Sequence, residues 1–332
     1  MNRRSLKDRR RLVIALAVGA LFPPLGCFAQ RQRSQIARIG VLESTSTSAI
    51  QQQALLDGLR ELGFVERKNV AIEYRWAEGN YERLAGLAAE LVQIKVDVII
   101  AGGTPAVQAA KQATATIPIV MVRVGDPVDS GFVATLSRPG GNITGLSNIL
   151  GEAASKYVEL LRLADPAVSR VAVLANPANP IHGDYFTRVQ ATGKANAVAV
   201  SAIQARTASE IDAVMAGLKR ERGEALIVLG DPFFASQAAR IAELAAQRRL
   251  ATMFWTRGPV ESGGLMSYGQ NNAEHYYRSA AYVDKLLKGA NAGELPVEQA
   301  TKVELVINLK TAKAIGLTIP QQLLLQADKV IE

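Results

Sequence analysis

The segment Gly102-Gly103-Thr104-Pro105 follows the apolar run Val96–Ala101 as a strand end that turns into a helix. Thr104 can cap that helix, whose free amides and dipole favour an anion, so a carboxylate or phosphate there is partly neutralised without a lysine; the same residues also suit a plain cap on a packed helix. Gly103 allows close backbone approach to a bound molecule. The run Ser44-Thr45-Ser46-Thr47-Ser48 either offers hydroxyls to the same anion or forms a solvated loop. Asp126, in Gly125-Asp126-Pro127, and Asp231, in Gly230-Asp231-Pro232, are suited to an ammonium group, although Asp-Pro is also an ordinary turn dipeptide. Asn176 opens a further loop, Asn176-Pro177-Ala178-Asn179-Pro180. Phe233, Phe234, Trp255, Tyr185 and Tyr268 lie near these loops; a ligand pocket is largely apolar with a few fixed polar groups, so one or two of them are expected to line it and the rest to be core.

Catalytic chemistry is poorly represented. His182 and His275 are the only histidines, and Cys27 the only cysteine, near the N-terminus. A downstream thiolate nucleophile or Cys-His zinc set is therefore excluded, and no metal or cofactor is expected. There is no P-loop string, no Gly-x-Gly-x-x-Gly after a strand and no Gly-x-Ser-x-Gly elbow. Paired cleft carboxylates acting as acid and base are the residual enzymatic alternative.

The elements that must position these residues alternate. Strands are expected at Arg38–Leu42, Val70–Tyr74, Val96–Ala101 and Ile117–Val124, then at Val171–Ala175, Val198–Ile203, Ala225–Leu229 and Ala251–Trp255. Between them, Ala49–Leu62, Tyr81–Ile94 and Thr104–Gln112 carry helical apolar stripes, as do stretches beginning near Gly183, Ser209 and Pro232, the second announced by a Thr207/Glu210 capping box. This alternation implies an α/β protein of two lobes with parallel sheets covered on both faces. In such sheets the ligand lies outside the carboxyl ends of the strands, which is where the Ser/Thr, Gly-Thr, Asp-Pro and Asn-Pro segments fall.

Six Lys or Arg and one Asp precede the eleven-residue apolar run Leu12–Phe22 and Pro23-Pro24-Leu25-Gly26-Cys27-Phe28-Ala29. That is the pattern of an export leader, residues 1–29, too short to span a membrane that needs about twenty apolar residues. Arg3-Arg4 partly resembles a twin-arginine signal, and Leu25-Gly26-Cys27 the end of a lipoprotein box, so general and twin-arginine export both stay open. Ordinary cleavage near Ala29 competes with lipidation at Cys27, and a retained amphipathic helix is disfavoured by Pro23-Pro24. The formal charge of +8 falls to about +3 without the leader. The remaining charges are interspersed, which argues against a nucleic-acid surface.

Turn clusters mark where the chain changes lobes. Ser137–Leu146, with Asn142 and Thr144, Glu261–Gly264, with Gly263, and the stretch 293–301 are three candidate hinge crossings. They divide the chain into an N-terminal lobe of 36–143 plus 262–292 and a C-terminal lobe of 144–261 plus 293–332.

The string Val297–Lys313 followed by Gly316-Leu317-Thr318-Ile319-Pro320 resembles the ending of extracytoplasmic substrate-binding proteins of ABC transporters, in the group that includes tryptophan- and tyrosine-type binders. Gly125-Asp126-Pro127-Val128, Leu136–Gly145 and Asn176-Pro177 are similar to that family too. The resemblance implies a type I periplasmic-binding fold of two Rossmann-like lobes and a non-enzymatic protein, monomeric by default. It would hold an amino acid or other small carboxylate between its lobes and deliver it to a permease with its ATPase subunits. It also implies ligand contacts from Ser44, Thr45, Ser46, Thr47, Gly103, Thr104 and Asp126 on one lobe, with Asn176, Asp231 and Tyr268 supplying the rest. A sensor subunit presenting ligand to a receptor is the alternative; a repressor is excluded for want of a helix-turn-helix before Arg38.

Overall fold

The structure, a computed structural model, describes residues 36–45, 49–219, 223–299 and 302–332. The leader, Cys27, Ser46 and Thr47 lie outside the described residues.

The first half alternates strand and helix as its apolar pattern requires: β1 (Ala37–Glu43), α1 (Ala49–Glu61), β2 (Val70–Trp76), α2 (Leu84–Gln93), β3 (Val98–Gly102), α3 (Thr104–Ala113), β4 (Ile119–Gly125) and β5 (Ile143–Asn148). A single 3-10 turn, Tyr81–Arg83, replaces the expected start of α2. The second half runs α4 (Leu150–Ala164), β6 (Arg170–Ala175), α5 (His182–Ala195), β7 (Ala199–Gln204), α6 (Ala208–Ala216), β8 (Glu224–Val228), α7 (Pro232–Ser236), α8 (Ala238–Gln247), β9 (Ala251–Phe254), α9 (Arg257–Glu261) and β10 (Met266–Gly269). The chain ends with α10 (Asn272–Leu287), β11 (Glu298–Gln299), β12 (Glu304–Asn308), α11 (Leu309–Ala314), α12 (Gln321–Leu324) and β13 (Lys329–Ile331). The Thr207 hydroxyl accepts the Glu210 amide and the Glu210 carboxylate accepts the Arg206 amide, so the expected capping signal does open α6.

These strands form two sheets, ordered β11-β5-β4-β3-β1-β2 and β13-β12-β10-β9-β8-β6-β7. The first is parallel throughout. The second is parallel except where β10 meets β12. The period-2 alternation of β3 feeds two cores: Ile99 and Ala101 pack with Leu84, Leu91 and Val107 of α2 and α3, while Val98 and Ile100 pack with Leu55 and Leu59 of α1 and Tyr276 and Val283 of α10. The second sheet has one large core of its own, including Leu174, Leu226, Ile227 and Phe254. These are two Rossmann-like lobes in the type I periplasmic-binding arrangement.

Sheet membership moves the expected crossings. β5 pairs with β4, so the chain leaves the first sheet after Asn148 and not at Asn142 or Thr144; β10 pairs with β9, so the return follows Gly269 and not Gly263; the last crossing lies between β11 and β12. The boundaries 143/144, 261/262 and 292/293 are corrected accordingly. The Asn142 amide donates to the Thr114 and Ile117 carbonyls within the first lobe, and the Thr144 hydroxyl donates to the Leu295 carbonyl. Gly263, at φ 111°, turns the chain into β10 inside the second lobe. Its carbonyl accepts the Thr311 hydroxyl.

Candidate functional site

The carboxyl ends of the two sheets face each other across a cleft of about 790 Å³. Thr45, Gly103, Thr104, Arg123 and Asn148 line it from the first lobe, and Asn179, Asp231, Trp255 and Thr256 from the second, with Gln270 on the crossing between them. Its walls are the loops that follow β1, β3, β8 and β9, the place a doubly wound sheet offers a ligand.

On the first lobe, Gly103 caps α3 at φ 85° with no side-chain hydrogen bond to the helix, and Thr104 is the first helical residue. Thr104 is therefore not the cap that the sequence suggests. Its placement still leaves first-turn amides of α3 at the cleft, where a negative group is favoured. Glu43, at the end of β1, is 1% exposed and lies against Gly102, where a Cβ would stand 2.1 Å from its Oε1. The glycine thus makes room for a buried carboxylate.

Arg123 meets that carboxylate. The pairing of β4 with β5 shifts register between Met121 and Val124, and Arg123 takes φ 60°, a conformation costly for a residue with a Cβ. Its Nη2 donates to Glu43 Oε2 at 2.9 Å and to the Tyr276 hydroxyl at 2.8 Å, while the Tyr276 hydroxyl donates to Glu43 Oε1. The guanidinium carbon lies 5.1 Å from the Tyr276 ring centroid. Burial pushes the Glu43 carboxyl up from its ordinary range, and Arg123 and Tyr276 oppose that shift.

On the second lobe, Asp231 is a hub. Oδ1 accepts from the Tyr81 hydroxyl at 2.9 Å, Asn176 Nδ2 at 3.2 Å and the amides of Phe233 and Phe234; Oδ2 accepts from Asn179 Nδ2 at 2.9 Å. It caps α7, and its side chain is 0% exposed. The expected ammonium partner is thus committed to holding three loops together. His182 Nδ1 accepts the Asn176 amide and Nε2–H donates to the Gly230 carbonyl, while burial lowers the ring's pKa, so the imidazole is a neutral brace.

Asp126, at φ 42°, faces the other lobe, with Oδ2 4.0 Å from Arg188 Nη2 on α5. Burial raises its pKa against the pull of Arg188. It and Tyr268 fall outside the cleft lining, Tyr268 packing against the second lobe's core. Ser44 is fully buried behind Thr45. Asn176 is buried beneath the wall and serves Asp231. Of the five aromatics, Trp255 reaches the cleft, whereas Phe233, Phe234 and Tyr185 are buried in the second lobe's core.

Several wall residues escaped the sequence reading. Arg123 had a signal, a single charged side chain inside the apolar run Ile119–Val124. Asn148 and Gln270 had none, because their role depends on two crossings meeting. Gln270 Oε1 accepts the Ile149 amide, Asn148 Nδ2 donates to the Arg123 carbonyl, and the Thr256 hydroxyl donates to the Gln270 carbonyl.

Residues 35–331 match the model of the ABC transporter substrate binding protein family. The chain belongs to that family. Among relatives of this substrate-binding family, a tyrosine-binding protein of Clostridioides difficile is 27% identical over 266 residues, spanning 80% of this chain and 76% of its own length. A conserved domain protein of Vibrio cholerae is 29% identical and superposes with a TM-score of 0.84, covering 89% of this chain and all of its own. The ABC domain of a Streptococcus pneumonia protein in complex with L-Trp is 26% identical with a TM-score of 0.80, over 90% of this chain and 100% of that one. The ligand-free, open structure of a Clostridium difficile substrate-binding protein is 25% identical with a TM-score of 0.64, over 89% of this chain and 99% of that one.

Proposed function

We propose that this chain is the extracytoplasmic solute-binding component of an ABC import system, taking up an amino acid or other small carboxylate by closing its two lobes and delivering it to a membrane permease. The observation that carries this reading is the cleft itself, walled by loops from both sheets, with the two lobes in contact beside it. The Tyr81 hydroxyl of the first lobe donates to Asp231 of the second, and Gly125 lies against the Tyr185 hydroxyl, so the lobes are in contact as a closed clamp requires. The better superposition on the L-Trp complex than on the open, ligand-free relative supports the same state.

In mechanism, a ligand that touches both walls binds the closed form better than the open one, and that difference in affinity shifts the population. The crossings at Ile149 and Gln270 are bonded to each other at the cleft floor, so a change in lobe angle is felt where the ligand sits. No step makes or breaks a covalent bond. The leader-like N-terminus supports export, and among the described residues no helix is long and apolar enough to cross a membrane.

A thermal-shift screen with tyrosine, tryptophan, the other amino acids and aromatic acids tests the reading. A true ligand at a hundredfold excess over its Kd should stabilise the chain by about 2.7 kcal/mol and be recovered unchanged. A panel in which no compound moves the transition would sink the amino-acid reading, and recovery of a converted product would sink the non-enzymatic one.

A further inference from the structure

We propose that Arg123 is the anion anchor of the cleft, holding the carboxylate of the ligand, so that the cleft selects acids over their amides and amines. The inference rests on the solute-binding reading and deepens it by naming the group that is recognised.

Three observations converge on this side chain. Its backbone is held at φ 60° inside the register shift of β4, a conformation that favours glycine, yet an arginine stands there. That distortion places the guanidinium at the cleft wall, with the side chain 14% exposed. Second, the group is aimed before any ligand arrives. Glu43 and the Tyr276 hydroxyl hold Nη2, and the Tyr276 ring lies against its face, so little ordering entropy is lost on binding.

Third, the guanidinium is under-used. Of the five N–H donors of an arginine, the two on Nη2 are taken; Nε is buried with no acceptor, and among the described residues Nη1 has none either. Nε is shut off from the cleft, which leaves Nη1 as the donor a ligand can reach, and a carboxylate oxygen is the acceptor that gains most from it. The carboxylate on the opposite wall does not compete, because Asp231 is 0% exposed and already holds five donors. Glu43 already shares the guanidinium through Nη2, so what the anchor offers a carboxylate is a fixed charge-assisted donor and not an unpaired cation.

The experiment measures Kd by calorimetry for matched probes: L-tryptophan, L-tyrosine and indole-3-propionate as acids, tryptophanamide, tyrosinamide and tryptamine as their counterparts, and myo-inositol as an uncharged control. The wild type should prefer acids by about thirtyfold or more, the range of a charge-assisted hydrogen bond. Arg123→Gln should lose that preference. Because it leaves Glu43 buried without its cation, the double variant Glu43→Gln/Arg123→Gln, which removes the pair together, should lose it as well while its ligand-free melting temperature stays near that of the wild type. Binding of amides should change little in either variant, whereas a merely structural arginine would weaken acids and amides alike. Equal wild-type binding of acids and amides, or an acid preference retained in the double variant, overturns the anchor and leaves the cleft reading standing. Binding of myo-inositol with no acid bound overturns the anchor and the small-carboxylate reading together, and leaves only a solute-binding cleft. If no probe binds the wild type, anchor and cleft reading fall together.

Discussion

His275 is one residue before Tyr276 on α10, 1% exposed, and neither ring nitrogen has a hydrogen-bond partner among the described residues. Burial, and then the charges of Arg123 and Arg278, lower its pKa from 6.5 to about 4. A base whose pKa is lower folded than unfolded takes up protons on unfolding, so its contribution is fully present above pH 6.5 and is lost as pH falls toward 4, reaching about 3 kcal/mol. His275→Phe should therefore flatten the fall in melting temperature between about pH 7 and about pH 5. Equal pH slopes for variant and wild type would remove His275 from the acid response. At this scale the sequence was legible in residue type more than in role. Gly103 and Thr104 do stand at a helix start facing the cleft, but Asp231 looked like a free acid because its Tyr81 donor is 150 residues away in the chain. Arg123 could have been flagged by its lone charge in an apolar strand; its partners Glu43 and Tyr276 are 80 and 153 residues distant.

Strand and helix alternation carried most of the fold, since parallel strands buried on both faces show as short apolar runs and their helices as stripes. β5 was hidden for a physical reason. Thr144, Gly145, Ser147 and Asn148 make Ile143–Asn148 read as a turn, yet every residue of it is buried. Gly145 sits at φ 126°, and a Cβ there would meet the Met121 carbonyl at 2.3 Å, so the glycine marks the close approach of β4 rather than a bend. The end of β4 poses a similar constraint between lobes: a Cβ on Gly125 would stand 1.8 Å from the hydroxyl of Tyr185 on α5. Gly125→Val should leave each lobe folded and hold the two apart, lowering affinity for whichever acid binds the wild type by about tenfold or more, with little change in the ligand-free melting temperature. Unchanged affinity in titration calorimetry would mean that closure does not bring these elements together.

Over the whole molecule, closure depends on a residue that belongs to one lobe by sequence and to both by packing. Tyr81, in the 3-10 turn before α2, packs against the cores of both lobes. Its hydroxyl donates to Asp231 and accepts the Phe233 amide at 3.3 Å, joining the first lobe to the cap of α7. Burial and the Asp231 charge push the phenol well above its ordinary pKa, so it stays a neutral donor at any physiological pH. Breaking this contact costs the closed state alone, because the open state hydrates both groups and each lobe keeps its own core. Tyr81→Phe keeps the ring and deletes the bond. The ligand-free variant should therefore scatter X-rays with a larger radius of gyration than the wild type, and bind about tenfold more weakly, the worth of roughly one to one and a half kcal/mol. The ranking of acids over amides should be unchanged, since Arg123 is untouched. A radius and an affinity both equal to the wild type's would show that the clamp is held by its ligand alone.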